Sequence, residues 1–189
     1  MEKLDRSTEN GDSEITSVLV EVQRGDKAAY TFIIAKFQKQ IFLYCYYLLK
    51  NVEEAEDAAQ DIFIKGLVRI DQYVHTGSFS AWLYKIAYHH CLDLIKKKKK
   101  SFNLLLEYRK KKEQEKEVGY TDIIHECLDR LNIEERQILL LRSLEEYTYD
   151  EIASIMDLKS STVRKKFERL RKKLIKEMGK GEEFYEHSF

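Results

Sequence analysis

The residues best suited to chemistry stand close together in the segment AYHHCLDLIKKKKK, at positions 87–100. Two histidines, a cysteine and an aspartate lie within five residues there, namely His89, His90, Cys91 and Asp93. Side chains of these types bind metal ions. The run of five lysines that follows, at positions 96–100, predicts contact with nucleic-acid phosphates instead. The two hypotheses are distinguished by helix geometry.

The segment has helical periodicity, and consecutive helix residues point about 100° apart because a turn takes 3.6 residues. His89, His90 and Cys91 therefore point in three directions, and only His89 with Asp93 has the i, i+4 spacing of a metal pair. We predict no metal site and no cofactor. His90 falls on the apolar side of the helix, which is typical of a core histidine whose ring nitrogens are satisfied.

One flank of the same helix carries aromatic and basic side chains. Such a surface suits stacking on unpaired bases and holding their backbone. The candidate nucleic-acid contacts on this surface, called the basic ridge below, are Trp82, Lys85, His89, Lys96 and Lys97.

Composition limits the class of protein. The chain has 189 residues, is 43% hydrophobic, and contains no proline and only seven glycines, so a helical fold with a buried core is expected. Its three widely spaced cysteines, Cys45, Cys91 and Cys127, indicate packed, reduced thiols. The polar N-terminus and the absence of an eighteen-residue apolar run predict a cytoplasmic protein without membrane insertion.

The formal net charge of zero hides strong segregation of acidic and basic residues along the chain. We predict an all-α chain of two small helical domains joined by a charged linker. The expected divisions are an acidic tail at 1–13, a first domain at 14–100, a linker at 101–121, a second domain at 122–180 and a C-terminal tail at 181–189.

The second domain has the pattern of a helix-turn-helix. Thr148 and Glu151 form a Thr-x-x-Glu capping box that starts a short helix, and another helix begins near Ser160 with an apolar and a basic side. A basic helix alone is usually a solvated surface, but the capped short helix before it favours insertion into the major groove. The candidate DNA contacts, called the recognition face below, are Ser161, Thr162, Arg164, Lys165, Arg169 and Lys172.

The helix that Asn51 starts has an acidic face, formed by Glu53, Glu56, Asp57, Gln60 and Asp61. This face is solvated, docks a basic partner, or binds divalent metal as in all-α nucleotide pyrophosphohydrolases. The metal interpretation needs a second carboxylate helix. The available one, at 79–96, offers Asp93 alone, so we predict that the chain is not an enzyme.

Four patterns in this order resemble the extracytoplasmic-function sigma factors of bacterial RNA polymerase. The segment RGDKAAYTFIIAKF resembles the family's opening helix, and AEDAAQDIFIK resembles its A-E-D-x-x-Q-[DE]-x-F-[ILV]-[KR] element. The segment FSAWLYKIAYHHCLDLIKKKKK resembles its F-x-x-W-L-[YF]-[KR]-I-A-x-N-x-x-x-D helix. The E-E-R…Y-x-E-I-A…T-V-[KR] pattern near the C-terminus resembles its promoter-reading helix-turn-helix.

The resemblance implies a sigma factor that binds core polymerase and directs promoter-specific initiation by recognising and melting promoter DNA. It implies that Asp57, Gln60 and Asp61 dock on the clamp helices of the polymerase β′ subunit, and that the β flap is a further contact. Such proteins are not enzymes themselves. Many are held inactive by an anti-sigma factor, which the resemblance adds as a candidate partner.

The resemblance also implies that the region 71–96 melts the minus-ten element and that Arg164, Lys165 and Arg169 read the minus-thirty-five element. Two departures from the family pattern bear on these roles. His89 replaces the usual asparagine, and Lys159 stands where a serine often caps the recognition helix, so we expect the cap to shift to Ser160. A helix-turn-helix regulator that acts without polymerase is the alternative, but it leaves the N-terminal patterns unexplained.

Overall fold

The computed structural model describes the backbone of residues 5–74, 78–106, 128, 130–143 and 145–186, and side chains from residue 13 to residue 176 within those ranges, with those of residues 101–106 left out. Every regular element in these ranges is helical, which confirms the predicted all-α fold. The chain divides into two compact units, at 1–110 and 111–189, and each is described by itself.

The first unit contains four α-helices in its described part: α1 (Asp5–Gln23), α2 (Tyr30–Leu49), α3 (Val52–Val68) and α4 (Phe79–Leu106). Short 3₁₀ turns at Lys27–Ala29 and Ile70–Gln72 precede α2 and follow α3. The helix α4 runs six residues beyond position 100, at which we expected the first domain to end. The described helices of the second unit are α5 (Ile133–Ser143), α6 (Tyr149–Met156) and α7 (Ser160–Glu186).

The core of the first unit joins all four helices. Leu19 of α1, Ile33 and Ile41 of α2, Ile62 of α3 and Leu83 of α4 have no exposed surface. Burying an aliphatic side chain of this size contributes roughly 1.5–3 kcal/mol. The core therefore fixes which side of α3 and of α4 faces solvent.

Two cysteines pack in this core as free thiols. Cys45 of α2 and Cys91 of α4 are both buried, and their sulfur atoms are 3.7 Å apart. The hydrogen bond from Cys91, together with burial, raises the pKa of the Cys45 thiol. The expectation of packed, reduced thiols is confirmed for this pair, whereas Cys127 lies outside the described residues.

The second unit has a smaller core, built from α5, α6 and α7. Ile138 and Leu141 of α5, Ile152 of α6 and Val163 of α7 have no exposed surface. An ion pair between Lys166 of α7 and Glu134 of α5, 2.8 Å apart, joins the two helices at the edge of this core. The packing leaves one long side of α7 in solvent.

Helix α3 lies close to Tyr30, the first residue of α2, at Gly66. A Cβ atom at this position would lie 2.5 Å from the hydroxyl oxygen of Tyr30, which is closer than van der Waals contact allows. That hydroxyl is buried and has no hydrogen-bond partner among the described residues, and burial raises the pKa of Tyr30. A glycine in a helix interior costs roughly 1 kcal/mol relative to alanine, so this glycine is explained by the close approach.

We predict that Gly66→Ala lowers the free energy of unfolding by about 1–3 kcal/mol, because the new methyl group collides with the Tyr30 hydroxyl. Tyr30→Phe removes that oxygen and leaves the nearest ring carbon 3.7 Å from the Cβ position. The double variant should therefore be at least as stable as the parent, measured by urea denaturation of all four proteins. Additive effects of the two substitutions would contradict this account.

Candidate nucleic-acid and docking surfaces

The helix-turn-helix in the second unit is set by local hydrogen bonds. Thr148 and Glu151 form the predicted capping box, in which the Glu151 backbone N–H donates to the Thr148 hydroxyl and the Thr148 N–H donates to the Glu151 carboxylate. Asp157 ends α6 in the left-handed conformation, at φ 54°, where its N–H donates to the Ala153 carbonyl. Asparagine and aspartate tolerate this conformation better than other residues with side chains. The turn between α6 and α7 is therefore short.

The start of α7 differs from the sequence-based expectation. The backbone N–H groups of Thr162 and Val163 both donate to the carbonyl of Lys159, at 2.8 and 3.1 Å. The residue whose carbonyl accepts the first helical hydrogen bonds is the N-cap. Lys159 is therefore the cap, and the expected shift of the cap to Ser160 is wrong because Ser160 already belongs to the helix.

The recognition face lies along the solvent side of α7. Within it, Thr162 is half-buried and the other five residues are exposed. The other basic side chains of α7 include two that point to the protein: Lys166 pairs with Glu134, and Lys173 donates to the carbonyl of Arg130 at 2.8 Å. The structure thus separates basic residues that anchor α7 from those that remain available to a partner.

Arg164 of the recognition face stacks on an aromatic ring. Its guanidinium carbon is 5.4 Å from the ring centre of Tyr149, and that of Arg142 is 5.2 Å from the same ring. Arg142 also donates to the carbonyl of Tyr147 at 2.8 Å. Sequence reasoning missed Arg142, since it comes from α5 and reaches this surface only through packing of α5 against α6.

Beside this stack lies an open groove with two arginines in its lining. It is lined by Arg142, Ser143, Glu146, Tyr149, Phe167 and Arg171. The cationic surface of the second unit therefore extends from α7 onto the end of α5.

The basic ridge follows α4 in the first unit. His89, Lys96 and Lys97 are exposed, whereas Trp82 and Lys85 are half-buried. The Trp82 ring packs against Tyr73 and Phe79, with centroid distances of 5.6 and 5.5 Å. Trp82 is thus part of an aromatic cluster and presents only part of its ring to solvent.

The aromatic cluster is tied to α1 through Gln23. The side-chain amide of Gln23 donates to the carbonyls of Ile70 and Tyr73, at 3.0 and 3.2 Å. These bonds hold the segment that leads from α3 toward α4. A polar residue of α1 thereby positions one end of the basic ridge.

The histidine pair of α4 diverges as helix geometry requires. His89 is exposed with its ring edge toward Tyr88, at a centroid distance of 4.9 Å, and His90 is buried against α3. In the part of the chain that the structure describes, no group of three or more His, Cys, Asp or Glu side chains could hold a metal ion.

All five residues of the acidic face are exposed on α3, while Ala55, Ala58 and Ile62 on the other side are buried. The structure adds apolar residues that the periodicity argument did not single out. Ile64 and Val68 are 60% and 75% exposed, one and two turns beyond Gln60. An exposed apolar group beside carboxylates is typical of a docking surface.

A groove between α2 and α3 extends this surface. Its lining comprises Ile34, Gln38, Lys39, Phe42, Glu56, Ala59, Gln60 and Phe63. Two residues of the acidic face, Glu56 and Gln60, therefore border a largely apolar depression. Charged residues around an apolar centre are the usual arrangement of a protein interface.

An ion pair between described residues joins the acidic and basic helices of the first unit. The ammonium of Lys98, within the run of five lysines, pairs with the carboxylate of Glu54 in the first turn of α3. The Glu54 backbone N–H is in turn bonded to the side chain of Asn51, which caps α3, at 2.8 Å. Lys98 is therefore partly engaged within the protein.

No helix among the described residues is long and apolar enough to span a membrane.

Comparison with known proteins identifies the family to which these surfaces belong. The model of Sigma-70 region 2 matches residues 33–101, and the model of Sigma-70 region 4 matches residues 121–174. The chain belongs to the extracytoplasmic-function group of the sigma-70 family. The resemblance drawn from the sequence is confirmed, and the two matches contain the acidic face, the basic ridge and the recognition face.

Curated relatives match most of the length of this chain. The chain is 29% identical over 174 residues to the ECF RNA polymerase sigma factor SigW of Bacillus subtilis, and the match covers 84% of this chain and 93% of SigW. It is 27% identical over 171 residues to the RNA polymerase sigma-H factor of Pseudomonas aeruginosa, covering 82% of this chain and 89% of that protein.

Solved structures share the fold of the chain. CnrH, solved in complex with the cytosolic domain of CnrY, matches with a TM-score of 0.68 at 18% identity, covering 86% of this chain and 95% of CnrH. The sigma factor RpoE of Bartonella quintana, solved with the anti-sigma factor NepR, matches with a TM-score of 0.65 at 17% identity. That match covers 77% of this chain and 93% of RpoE.

Proposed function

We propose that this sigma-70 family member binds core RNA polymerase and directs promoter-specific transcription initiation by recognising and melting promoter DNA. The observation that carries the proposal is the position of two chemically opposite surfaces. An acidic and apolar surface lies within the region 2 match, and a basic helix-turn-helix lies within the region 4 match. In this proposal the protein redirects an enzyme rather than catalysing a reaction itself.

The acidic face is the proposed docking surface for polymerase. Its carboxylates suit a basic partner, and the adjoining groove, with Ile64 and Val68, supplies apolar area that docking would bury. We assign the β′ clamp helices to this surface and the β flap to the second unit. A protein seated over these surfaces would block polymerase, so we propose an anti-sigma factor as a regulatory partner.

Promoter DNA is proposed to contact both units. The recognition face would enter the major groove of the minus-thirty-five element, with its first turn reaching base edges and Lys172 near the backbone. Arg142, whose guanidinium lies over the same Tyr149 ring as that of Arg164, extends the cationic surface beside it. The basic ridge would hold the non-template strand of the melted minus-ten element, where Trp82 and His89 offer ring surface and the lysines meet phosphate.

Domain limits are proposed to follow the sequence divisions, with region 2 at 14–100 and region 4 at 122–180. The linker between them, at 101–121, would thread toward the polymerase active site. Apart from the end of α4, the linker lies outside the described residues, as do the side chains of residues 1–12 and 181–189.

In vitro transcription tests the function directly. Core polymerase free of other sigma factors, reconstituted with this protein and genomic DNA, should give footprints at discrete promoters and transcripts that start there. Core polymerase alone serves as the control and should give neither. Failure to form a stable complex with core polymerase would contradict the proposal.

Asp61→Lys should weaken binding to core polymerase by at least about tenfold, because a basic partner would meet a like charge. Asp61 is largely exposed on α3, so the fold should remain intact. Glu21→Lys makes the same charge change at an exposed position of α1 and is the matched control. The affinity of each variant for core polymerase is measured by fluorescence anisotropy. Equal affinities of the two variants would count against this docking surface.

Arg169→Ala should lower initiation from a footprinted promoter by about tenfold, because one base or phosphate contact on DNA is worth about 1–3 kcal/mol. Arg169 is exposed on α7, and binding to core polymerase should not change. Arg169→Lys keeps the charge but loses the planar fork, so it separates phosphate contact from base recognition. Equal losses of initiation and polymerase binding would show that the groove contacts are misplaced.

A further inference from the structure

His90 is buried at the contact between α4 and α3, next to the acidic face. Its side chain is 7% exposed, whereas the neighbouring carboxylate of Asp61 is 60% exposed. The Nδ1 atom contacts the ammonium of Lys65, and the Nε2 atom is 3.6 Å from a carboxylate oxygen of Asp61. One imidazole ring thus stands between a cation and an anion of the same helix.

The contact with Lys65 determines the state of the ring. A lysine ammonium has donors only, so Nδ1 must accept, and the ring proton is carried by Nε2. Burial and the charge of Lys65 lower the pKa of His90, which favours the neutral form at pH 7. The other charges that act on the ring are Asp61 and Asp93, which raise its pKa, and Lys97, which lowers it.

We expected His90 to be a core residue with both ring nitrogens hydrogen-bonded. The burial is confirmed, but the hydrogen bonding of both nitrogens is wrong. Nε2 is buried and has no hydrogen-bond partner among the described residues. It faces Asp61 across a distance longer than a hydrogen bond. A ring placed only for packing would not need contacts with two charged groups of α3.

Lys65 follows Asp61 by four residues, the spacing at which opposite charges on a helix pair directly. Among the described residues, the carboxylate of Asp61 faces the neutral ring of His90 at Nε2, and the ammonium of Lys65 lies at the other ring nitrogen. The ring thus replaces a direct pair that would neutralise one carboxylate of the acidic face. Without the ring, the flexible lysine would be free to turn toward Asp61.

We propose that His90 is a positioning residue of the docking surface, which holds the ammonium of Lys65 away from Asp61 so that this carboxylate meets a basic partner as an unneutralised charge. The inference rests on the proposed function, because it assumes that polymerase docks on α3. Its physical part, the tautomer of the ring and the partner of Lys65, is a property of the free protein.

The test compares core-polymerase affinities of a small set of variants. His90→Leu removes the acceptor and should weaken binding by about two- to fivefold, since direct pairing of charges at partly exposed sites is weak. His90→Gln keeps a carbonyl acceptor for Lys65 and an amide donor toward Asp61, and should bind as the parent does. Adding Lys65→Met to His90→Leu removes the neutralising cation and should restore binding.

The double variant gives the sharper outcome. If it binds as weakly as His90→Leu alone, or if His90→Leu binds as the parent does, the positioning role is overturned. Should Asp61→Lys bind core polymerase as well as the parent, the docking surface itself is the part that fails. Circular dichroism melts show which variants retain the fold before their affinities are compared.

A spectroscopic measurement on the unmodified protein keeps the inference testable even if His90→Leu does not fold. The ¹⁵N chemical shifts of the His90 ring at pH 7 should report a neutral imidazole protonated at Nε2. An imidazolium, or a ring protonated at Nδ1, would overturn the proposal, because neither can accept from Lys65. The exposed ring of His89, one residue earlier, serves as the internal reference.

Discussion

Close packing of α3 against α2 and α4 is the constraint on which the first unit depends. The buried side of α3 is built largely from small residues, Ala55, Ala58, Ala59 and Gly66, which allow the neighbouring helices to approach. Because a helix turns about 100° per residue, burying that side leaves the acidic face in solvent. The same close approach brings His90 of α4 within reach of Lys65 and Asp61. The exposure of the acidic face and the position of His90 thus both result from the close packing of α3.

The second unit depends on orientation rather than on close approach. A capping box starts α6, a left-handed residue ends it, and the carbonyl of Lys159 starts α7. Burial of Val163 and Leu170 in the core sets the rotation of α7 about its axis, and the ion pair of Lys166 with Glu134 supports it, so that the recognition face points to solvent. A partly exposed pair of this kind contributes about 0–1 kcal/mol to stability. Its effect is mainly on which basic side chains are left for DNA.

Features that arise within a few residues were predictable from the sequence. The acidic face and the recognition face follow from helical periodicity, and the Thr148 capping box follows from spacing alone. Contacts between helices were not predictable: the Arg142 and Arg164 stack on Tyr149, the pair of Lys98 with Glu54, and the ring of His90 against Lys65. Each depends on packing distances that one sequence without its fold does not contain.

The formal net charge of zero arises because acidic and basic residues are equal in number, although they form separate surfaces. In the first unit, α3 carries acidic residues and the adjacent α4 carries basic residues. Ion pairs between the two helices would neutralise the charges of both surfaces. Among the described residues, Lys98 of α4 pairs with Glu54 at the start of α3, and the neutral ring of His90 contacts Lys65. The carboxylates of the acidic face are exposed, as are Lys96 and Lys97 of the basic ridge, whereas Lys85 is half-buried. In the proposed function, these two neighbouring helices contact a basic protein and an anionic strand through exposed surfaces of opposite charge.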